Sequence, residues 1–223
     1  MAESSTRTVE RALDLLAVIC DSDGLTLSES SRAVDLAPST ALRLLRTLET
    51  RGFVQKAGDG AYRPGSRLIQ LGAQSLSSES LVTLARPAME RLVAETGESV
   101  YLSVEGHDAT GLYIAIVEGT HSVRHASWVG RTVPLARSAA GQALTGRTPA
   151  AGYVVVERGV EADVTALAAP IRSEARTVAA LSLVIPSYRV EPADIRRYGP
   201  LLADAAAKVS AGLGRSVPAH PST

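Results

Sequence analysis

Cysteine is almost absent from this chain. Cys20 is the only one in 223 residues, which excludes an intrachain disulfide framework and a cysteine-based metal site within one chain. Net charge is absent as well: 23 Lys and Arg balance 23 Asp and Glu, so the overall charge lends no support to a nucleic-acid partner. No run of about 18 apolar residues exists to span a membrane, and Met1-Ala-Glu-Ser-Ser-Thr-Arg7 lacks the apolar core of a signal peptide. A cytoplasmic protein with no membrane partner is expected. Hydrolase signatures are missing too: there is no Gly-x-Ser-x-Gly elbow, no His-Glu-x-x-His and no paired-carboxylate motif. His107, Asp108, His121 and His125 remain, but His121 and His125 fall in a turn-and-strand stretch where a spacing of four does not place them on one helical face. No catalytic residue, metal or cofactor is expected, and the chain is not read as an enzyme. With 45% hydrophobic and 21% charged residues, the composition is that of a globular protein long enough for two small domains.

What is present is organised around Leu25 to Pro64. Thr26 followed by Glu29 is a capping box, which predicts a helix over about Leu27 to Val34. Pro38 suits the first turn of a second helix, and Gly52 suits its end. At 100° per residue, Ser39, Arg43, Arg46, Thr47 and Thr50 share one face, while Ala41, Leu44, Leu45 and Leu48 share the opposite one. Hydroxyls near the helix start followed by arginines can meet phosphates and base edges; a plain solvated face is the alternative. Two helices joined by a turn around Asp35 to Ala37 have helix-turn-helix spacing. Phe53 to Lys56, Gly58-Asp59-Gly60 and Ala61 to Arg63 then read as a hairpin, or wing. Between Pro38 and Arg67, six basic residues (Arg43, Arg46, Arg51, Lys56, Arg63, Arg67) face only Glu49 and Asp59, a small basic footprint in a neutral chain.

Before this stretch, Arg7 to Cys20 reads as a helix with Val9, Leu13, Leu16 and Cys20 on one side and Ala12, Leu15 and Ile19 beside them. It is expected to roof the next two helices, with Cys20 as a packing residue. Arg7 and the residues before it are placed near a groove or phosphate, or else form a free arm. After the wing, Leu68, Ile69, Leu71 and Leu76 make a stripe that its own domain is too small to cover, so a second subunit is expected there. Leu81 to Thr96 reads as a longer helix ended by Gly97. Short segments follow at Ser99–Glu105, Leu112–Glu118, Val123–Trp128, Val154–Glu157, Val164–Ile171 and Val178–Ile185, and a helix over Glu191–Leu213 closes the pattern. About six antiparallel strands with helices at the ends make an α+β domain.

Arg11-Ala-Leu-Asp-Leu-Leu, Leu36-x-x-Ser39-Thr40-x-x-Arg43-Leu-Leu, Gly52-Phe-Val and Tyr62-Arg63-x-Gly65 resemble the winged helix of IclR-type bacterial transcriptional regulators. Ala37 and Pro38 depart from the proline and basic residue often found there. The second half also resembles that family, through Gly130-Arg-Thr-Val-Pro134-Leu, Ser138-Ala-Ala-Gly141-Gln-Ala-Leu, Ala168-Ala-Pro170-Ile and Val178-Ala-Ala-Leu-Ser182. The resemblance implies a GAF-like sheet that binds small effectors. Two departures lie here. Only Thr-Gly-Arg-Thr-Pro-Ala-Ala separates Leu144 from Gly152, where the family usually has a helical insertion. Val156 to Gly159 and Thr165-Ala166 stand where many members carry acidic residues and a cysteine.

The expected fold class is therefore α+β: an N-terminal winged helix-turn-helix (1–65), linker helices (66–80), a C-terminal GAF-like antiparallel sheet flanked by helices (81–215), and a disordered tail (216–223). The expected function is a DNA-binding, nucleoid-associated regulator acting on double-stranded operator DNA as a homodimer or dimer of dimers. Its DNA contacts are assigned to Ser39, Thr40, Arg43, Arg46, Thr47, Lys56, Tyr62, Arg63 and Arg7. A small organic acid effector is assigned to Arg137, Ser138, Ala139 and Ala140 at a helix start, with Tyr101 and Trp128 as an apolar wall, Arg131 as a second cation, and Ser182. Sheet core and surface arginines are the alternative readings of those residues. The rival function is a DNA-binding regulator whose second domain only dimerises or contacts other proteins.

Overall fold

The computed structural model describes residues 6–78, 80–124, 128–174 and 176–213. The first five residues, His125 and the expected tail over 216–223 lie outside the described residues. The chain divides into two compact units, Met1–Ser78 and Glu79–Thr223.

The first unit contains α1 (Arg7–Cys20), α2 (Leu27–Ala33), α3 (Pro38–Thr50), the strands β1 (Val54–Lys56) and β2 (Tyr62–Pro64), and α4 (Ser66–Ser78). Each boundary has a chemical cause. The Thr26 side chain accepts from the Glu29 N–H while the Glu29 carboxylate accepts from the Thr26 N–H at 2.8 Å, so two orphan donors of α2 are satisfied at once. Asp35 takes a left-handed φ of 50° in the turn, a conformation Asp tolerates better than most residues. Helix α3 ends in a Schellman arrangement: Gly52, at φ 76°, donates to Glu49, and Phe53 donates to Leu48. Gly65 donates to the Phe53 carbonyl at 2.8 Å. A Cβ on Gly65 would lie 2.2 Å from the Gly52 oxygen, so the Gly52-Phe-Val and Tyr-Arg-x-Gly65 motifs are two sides of one close backbone contact.

Leu15, Ile19, Ala41, Leu44, Leu45, Val54 and Tyr62 form the core of this unit. The first helix presents a different stripe from the one expected. Leu15 and Ile19 are fully buried, whereas Val9 is 55% and Leu13 58% exposed, and Cys20 is exposed as well. The Leu15 and Ile19 face meets α3, and that rotation carries Val9, Leu13 and Cys20 outward, so Cys20 is not a packing residue. Its thiol pKa is raised, first by desolvation and then by the neighbouring Asp21 charge, which disfavours thiolate chemistry. The wing has an unanticipated third member: Leu25 exchanges two backbone hydrogen bonds with Tyr62.

The second unit is an antiparallel sheet with helices on both faces. Its elements are α5 (Ser80–Thr96), β3 (Ser99–Glu105), β4 (Thr110–Val117), β5 (Thr132–Pro134), α6 (Ala139–Leu144), β6 (Val154–Glu157), β7 (Val164–Ser173), β8 (Arg176–Pro186) and α7 (Pro192–Leu213). The strand order is β5-β4-β3-β8-β7-β6. Of the expected strand over Val123–Trp128, residues 125–127 lie outside the described residues and Val123, Arg124 and Trp128 are not in a strand; the edge strand next to β4 is Thr132–Pro134, paired with Thr110–Leu112. Burial on both faces explains why the long strands read as nearly continuous apolar runs rather than alternating ones. Helices α5 and α7 cover one face, with Met89, Leu92, Leu202 and Val209 against Leu102, Leu167, Leu181 and Leu183. The opposite face carries α6, whose Ala139, Ala143 and Leu144 pack with Leu135, Val154, Ala168 and Ala180. A Cβ on Gly141 would fall 2.2 Å from the Leu135 Cα, which fixes how deeply α6 seats. No helix among the described residues is long and apolar enough to cross a membrane.

Candidate functional site

Two sites emerge, one in each unit. In the first unit, the polar face of α3 is solvent-facing. Ser39, Arg43, Arg46 and Thr47 are exposed, and Thr40 is half-buried. Ser39, Arg43, Arg46 and Thr47 border a shallow exposed groove together with Leu42, Thr50 and Arg51, and Thr40 does not line it. Arg51, at the C-terminal end of this face, was not among the expected contacts. The Thr47 and Thr50 hydroxyls donate to the Arg43 and Arg46 carbonyls at 3.1 and 2.8 Å, which leaves their oxygens as acceptors. Among the described residues, neither the Arg43 nor the Arg46 guanidinium is held by a hydrogen bond or ion pair, so both keep their donors for an anion.

The wing residues divide differently. Arg63 is committed to the protein itself: it forms a bidentate pair with Asp59 at 2.7 and 3.3 Å and donates to the Asp23 carbonyl. The Asp59 carboxyl is held below its ordinary value, first by Arg63 and then by the Ala61 N–H. This brace stiffens the wing tip. Lys56 is exposed, its Nζ 5.8 Å from the Tyr62 ring centroid. Tyr62, expected on the DNA backbone, is only 2% exposed and belongs to the core. An alternating strand sends Tyr62 inward when its neighbour Arg63 faces out, and Tyr62 is withdrawn from the contact set. Arg7 is exposed at the start of α1.

In the second unit, a narrow cleft with a cavity volume of about 30 Å³ lies on the α6 face of the sheet. Of the expected effector residues, Trp128, Ser138, Ala139, Ala140 and Ser182 line it. Tyr101 does not: it is fully buried beneath Tyr113, with ring centroids 4.7 Å apart, and burial pushes its hydroxyl pKa well up. Tyr113 lines the cleft instead, 6.4 Å from Trp128, with its hydroxyl raised to about 12 by burial and by the Glu161 charge. The two arginines are elsewhere. Arg131 stacks on Trp128 at 5.6 Å, and Arg137 is exposed, its backbone rather than its side chain turned toward Gly159. Neither lines the cleft, so among the described residues the anion reading is left with the backbone N–H groups at the α6 start, where Ser138, Ala139 and Ala140 do line it.

The remaining wall comes from Val133, Val156, Gly159, Val160, Glu161, Val164, Ala166 and Val184, which were not among the expected effector residues. One signal was available: Gly159, where a Cβ would sit 2.3 Å from the Arg137 oxygen, marks a close backbone approach beside α6. The Ser138 hydroxyl accepts from Gly141 and donates to Pro134. Ser182, only 1% exposed, has no hydrogen-bond partner for its hydroxyl among the described residues. Elsewhere in this unit, His107 and Asp108 are exposed in the β3–β4 turn, and His121 lies 3.4 Å from Glu98.

Residues 8–58 match the IclR helix-turn-helix domain. Residues 73–151 and 145–211 match the family described as bacterial transcriptional regulator IclR C-terminal, the two stretches meeting where the link after Leu144 is short. The chain is 35% identical over 139 residues to the HTH-type transcriptional regulator BhcR of Paracoccus denitrificans, covering 57% of this chain and 50% of that protein. The matched stretch spans about half the length of this and other curated relatives. Among solved structures, an IclR transcriptional regulator from Alicyclobacillus acidocaldarius shares the fold with a TM-score of 0.79 at 24% identity, covering 93% of this chain and 98% of that one. An IclR homolog from Microbacterium hydrocarbonoxydans complexed with 4-hydroxybenzoate has a TM-score of 0.78 at 25% identity, covering 94% and 100%.

Proposed function

We propose, because the chain belongs to the IclR family of bacterial transcriptional regulators, that it binds operator DNA through α3 and that a small molecule in the α6 cleft modulates this binding. The observation that carries the reading is the exposed Ser39, Arg43, Arg46 and Thr47 face, with both guanidinium groups uncommitted. A helix of this kind enters the major groove with its N-terminal residues on base edges. Lys56 and Arg7 supply backbone contacts, and Arg63 shapes the wing.

The protein acts as a dimer or dimer of dimers. Ile69 is 76% and Leu71 38% exposed on α4, and Val9 and Leu13 are exposed on α1; a second copy supplies the cover these apolar side chains lack. Two copies present two recognition helices to a symmetric site at a spacing set by the DNA repeat. The ligand shifts DNA affinity only by binding DNA-competent and incompetent arrangements differently. The rival reading, in which the second unit only associates with protein, draws support from the narrowness of the cleft.

The test is binding of the purified protein to the upstream region of its own gene, with salt titrated and random duplex as competitor. Saturable, salt-sensitive binding that survives competitor supports specific regulation. Binding that disappears with competitor refutes it. A monomer that binds one half-site as tightly as a palindrome refutes the dimer.

A further inference from the structure

We infer that Asp59 is a positioning residue of the wing: it holds Arg63 off the DNA backbone, so that the wing engages phosphate through Lys56 alone. This rests on the reading of the first unit as a DNA-binding unit and assigns which of its cations reach phosphate. Six basic residues lie between Pro38 and Arg67, and among the described residues Arg63 is the one of them paired with a carboxylate. Its Nη2 and Nη1 meet Asp59 at 2.7 and 3.3 Å, and its Nε donates to the Asp23 carbonyl at 3.2 Å. A guanidinium offers a phosphate two bidentate edges, the end of the fork and the side that includes Nε. Asp59 occupies the first, and Asp23 takes Nε from the second.

The pairing is set by the backbone around it. Leu25 exchanges two hydrogen bonds with Tyr62, which brings the Asp23 carbonyl beside Arg63. Gly24, at φ 129°, lies against the side chain: a Cβ there would be 3.1 Å from the Arg63 Nε and 3.2 Å from its Cγ. Asp59 is fixed from the other side, because its Oδ1 also accepts from the Ala61 N–H at 3.0 Å. Exposed ion pairs usually contribute little, but a bidentate pair of fixed partners is the exception. The shared hydrogen bond is the main cause that raises the Arg63 pKa and lowers that of Asp59.

A phosphate that approaches the wing tip therefore meets a carboxylate and an arginine already satisfied by it. Lys56 differs: it is exposed, with its Nζ 5.8 Å from the Tyr62 ring centroid and no carboxylate partner among the described residues. Each phosphate neutralised by a cation adds about 0.9 to the fall of log affinity with log salt. That slope counts engaged cations and is insensitive to the mere stiffness of the hairpin. Asn at position 59 removes the charge and keeps the oxygen that accepts from Ala61, so Asp59→Asn releases Arg63 without removing the turn.

The experiment measures binding of the full chain to a duplex from its own upstream region and to a random duplex across a salt series. Asp59→Asn is expected to steepen the slope by about 0.9 on both duplexes and to tighten both about threefold or more at the lowest salt, with their ratio within about twofold of the unaltered protein. Asp59→Ser, which supplies a turn acceptor of its own, is expected to act in the same direction. Adding Arg63→Met to Asp59→Asn is expected to return the slope to within about 0.3 of the unaltered value, while Arg63→Met alone changes it by less than about 0.5 and Lys56→Met flattens it by about 0.9. Flattening by about 0.9 from Arg63→Met alone shows that Arg63 already contacts phosphate. That result, an unchanged slope for both Asp59 variants, or an unchanged slope for Lys56→Met overturns the inference and leaves the DNA-binding reading standing. If the unaltered protein shows no saturable, salt-sensitive binding to either duplex, that reading and the inference fall together.

Discussion

Replacing Arg189 with Met isolates a buried charge. Glu98, just before β3, is 2% exposed, and Arg189 holds it with two hydrogen bonds, Nε to Oε1 at 2.8 Å and Nη2 to Oε2 at 2.7 Å. Arg189 also donates from Nη1 to the Val123 carbonyl at 2.8 Å, so one guanidinium ties β3, the β8–α7 turn and the segment that leads toward Trp128. The hydrogen bond to Glu98 is also the main cause that raises the Arg189 pKa. Met keeps most of the volume but leaves the carboxylate desolvated, with the His121 ring 3.4 Å away as its remaining charged-group neighbour among the described residues. Removing one partner of a buried pair costs about 3–5 kcal/mol, whereas replacing both with apolar groups is often close to neutral. Arg189→Met is therefore expected to lose about 3–5 kcal/mol, and the double variant Glu98→Leu with Arg189→Met to lose less than this single one. Trp128 is the only tryptophan and belongs to the second unit, so urea unfolding followed by its fluorescence reports on the unit that holds the pair. A loss below about 1 kcal/mol for Arg189→Met, or a double variant whose loss equals the sum of the singles, would refute the assignment.

Arg43→Ala is expected to weaken operator binding by about 1–3 kcal/mol and relax the preference at one base pair; uniform loss on operator and random DNA, with a salt slope smaller by about one, would place Arg43 on a phosphate. Ser182→Ala removes a buried hydroxyl that has no partner, so the ligand-free protein is expected to gain roughly 1 kcal/mol in denaturant titrations while losing ligand affinity; destabilisation would mean the hydroxyl has a partner in the folded protein. Gly65→Ala forces a Cβ against the Gly52 oxygen and is expected to abolish specific DNA binding through loss of wing geometry, while leaving the Trp128 transition in place. The Glu29 and Asp59 carboxyls are both held below their ordinary values of 4.5 and 3.8, by Thr26 and Arg63 respectively. Their contribution to the first unit is thus present above those values and lost as pH falls through the lower folded-state pKa values; acid titration followed by circular dichroism should show Thr26→Ala and Asp59→Asn each reducing that acid sensitivity.

Legibility in the sequence followed the range of the interactions. The capping box, Pro38, Gly52 and the opposed faces of α3 act over a turn or two of chain, so residue order alone was sufficient to locate α3 and its exposed arginines. The order of long apolar strands and the helices bracketing them likewise reads out as an α+β sheet, because covering both faces demands continuous apolar runs. The rotation of α1 could not be read in the same way. Val9 and Leu13 make as good a stripe as Leu15 and Ile19, and only the position of α3 decides which is covered. Tyr62 and Arg63 are neighbours on a strand, and the core, not their residue types, determines which one turns inward.

The cleft depended most on tertiary structure. Its walls come from β4, β5, α6, β6, β7, β8 and the turn around Gly159 to Glu161, separated along the chain and brought together by the fold of the sheet. Sequence alone nominated Trp128, Ser138, Ala139, Ala140 and Ser182 as residues that could meet a ligand. Only folding placed Glu161 among them, kept Arg131 and Arg137 off the lining, and hid Tyr101 beneath Tyr113. A charge contributes to a site through distance and desolvation, and neither is a property of the residue that carries it.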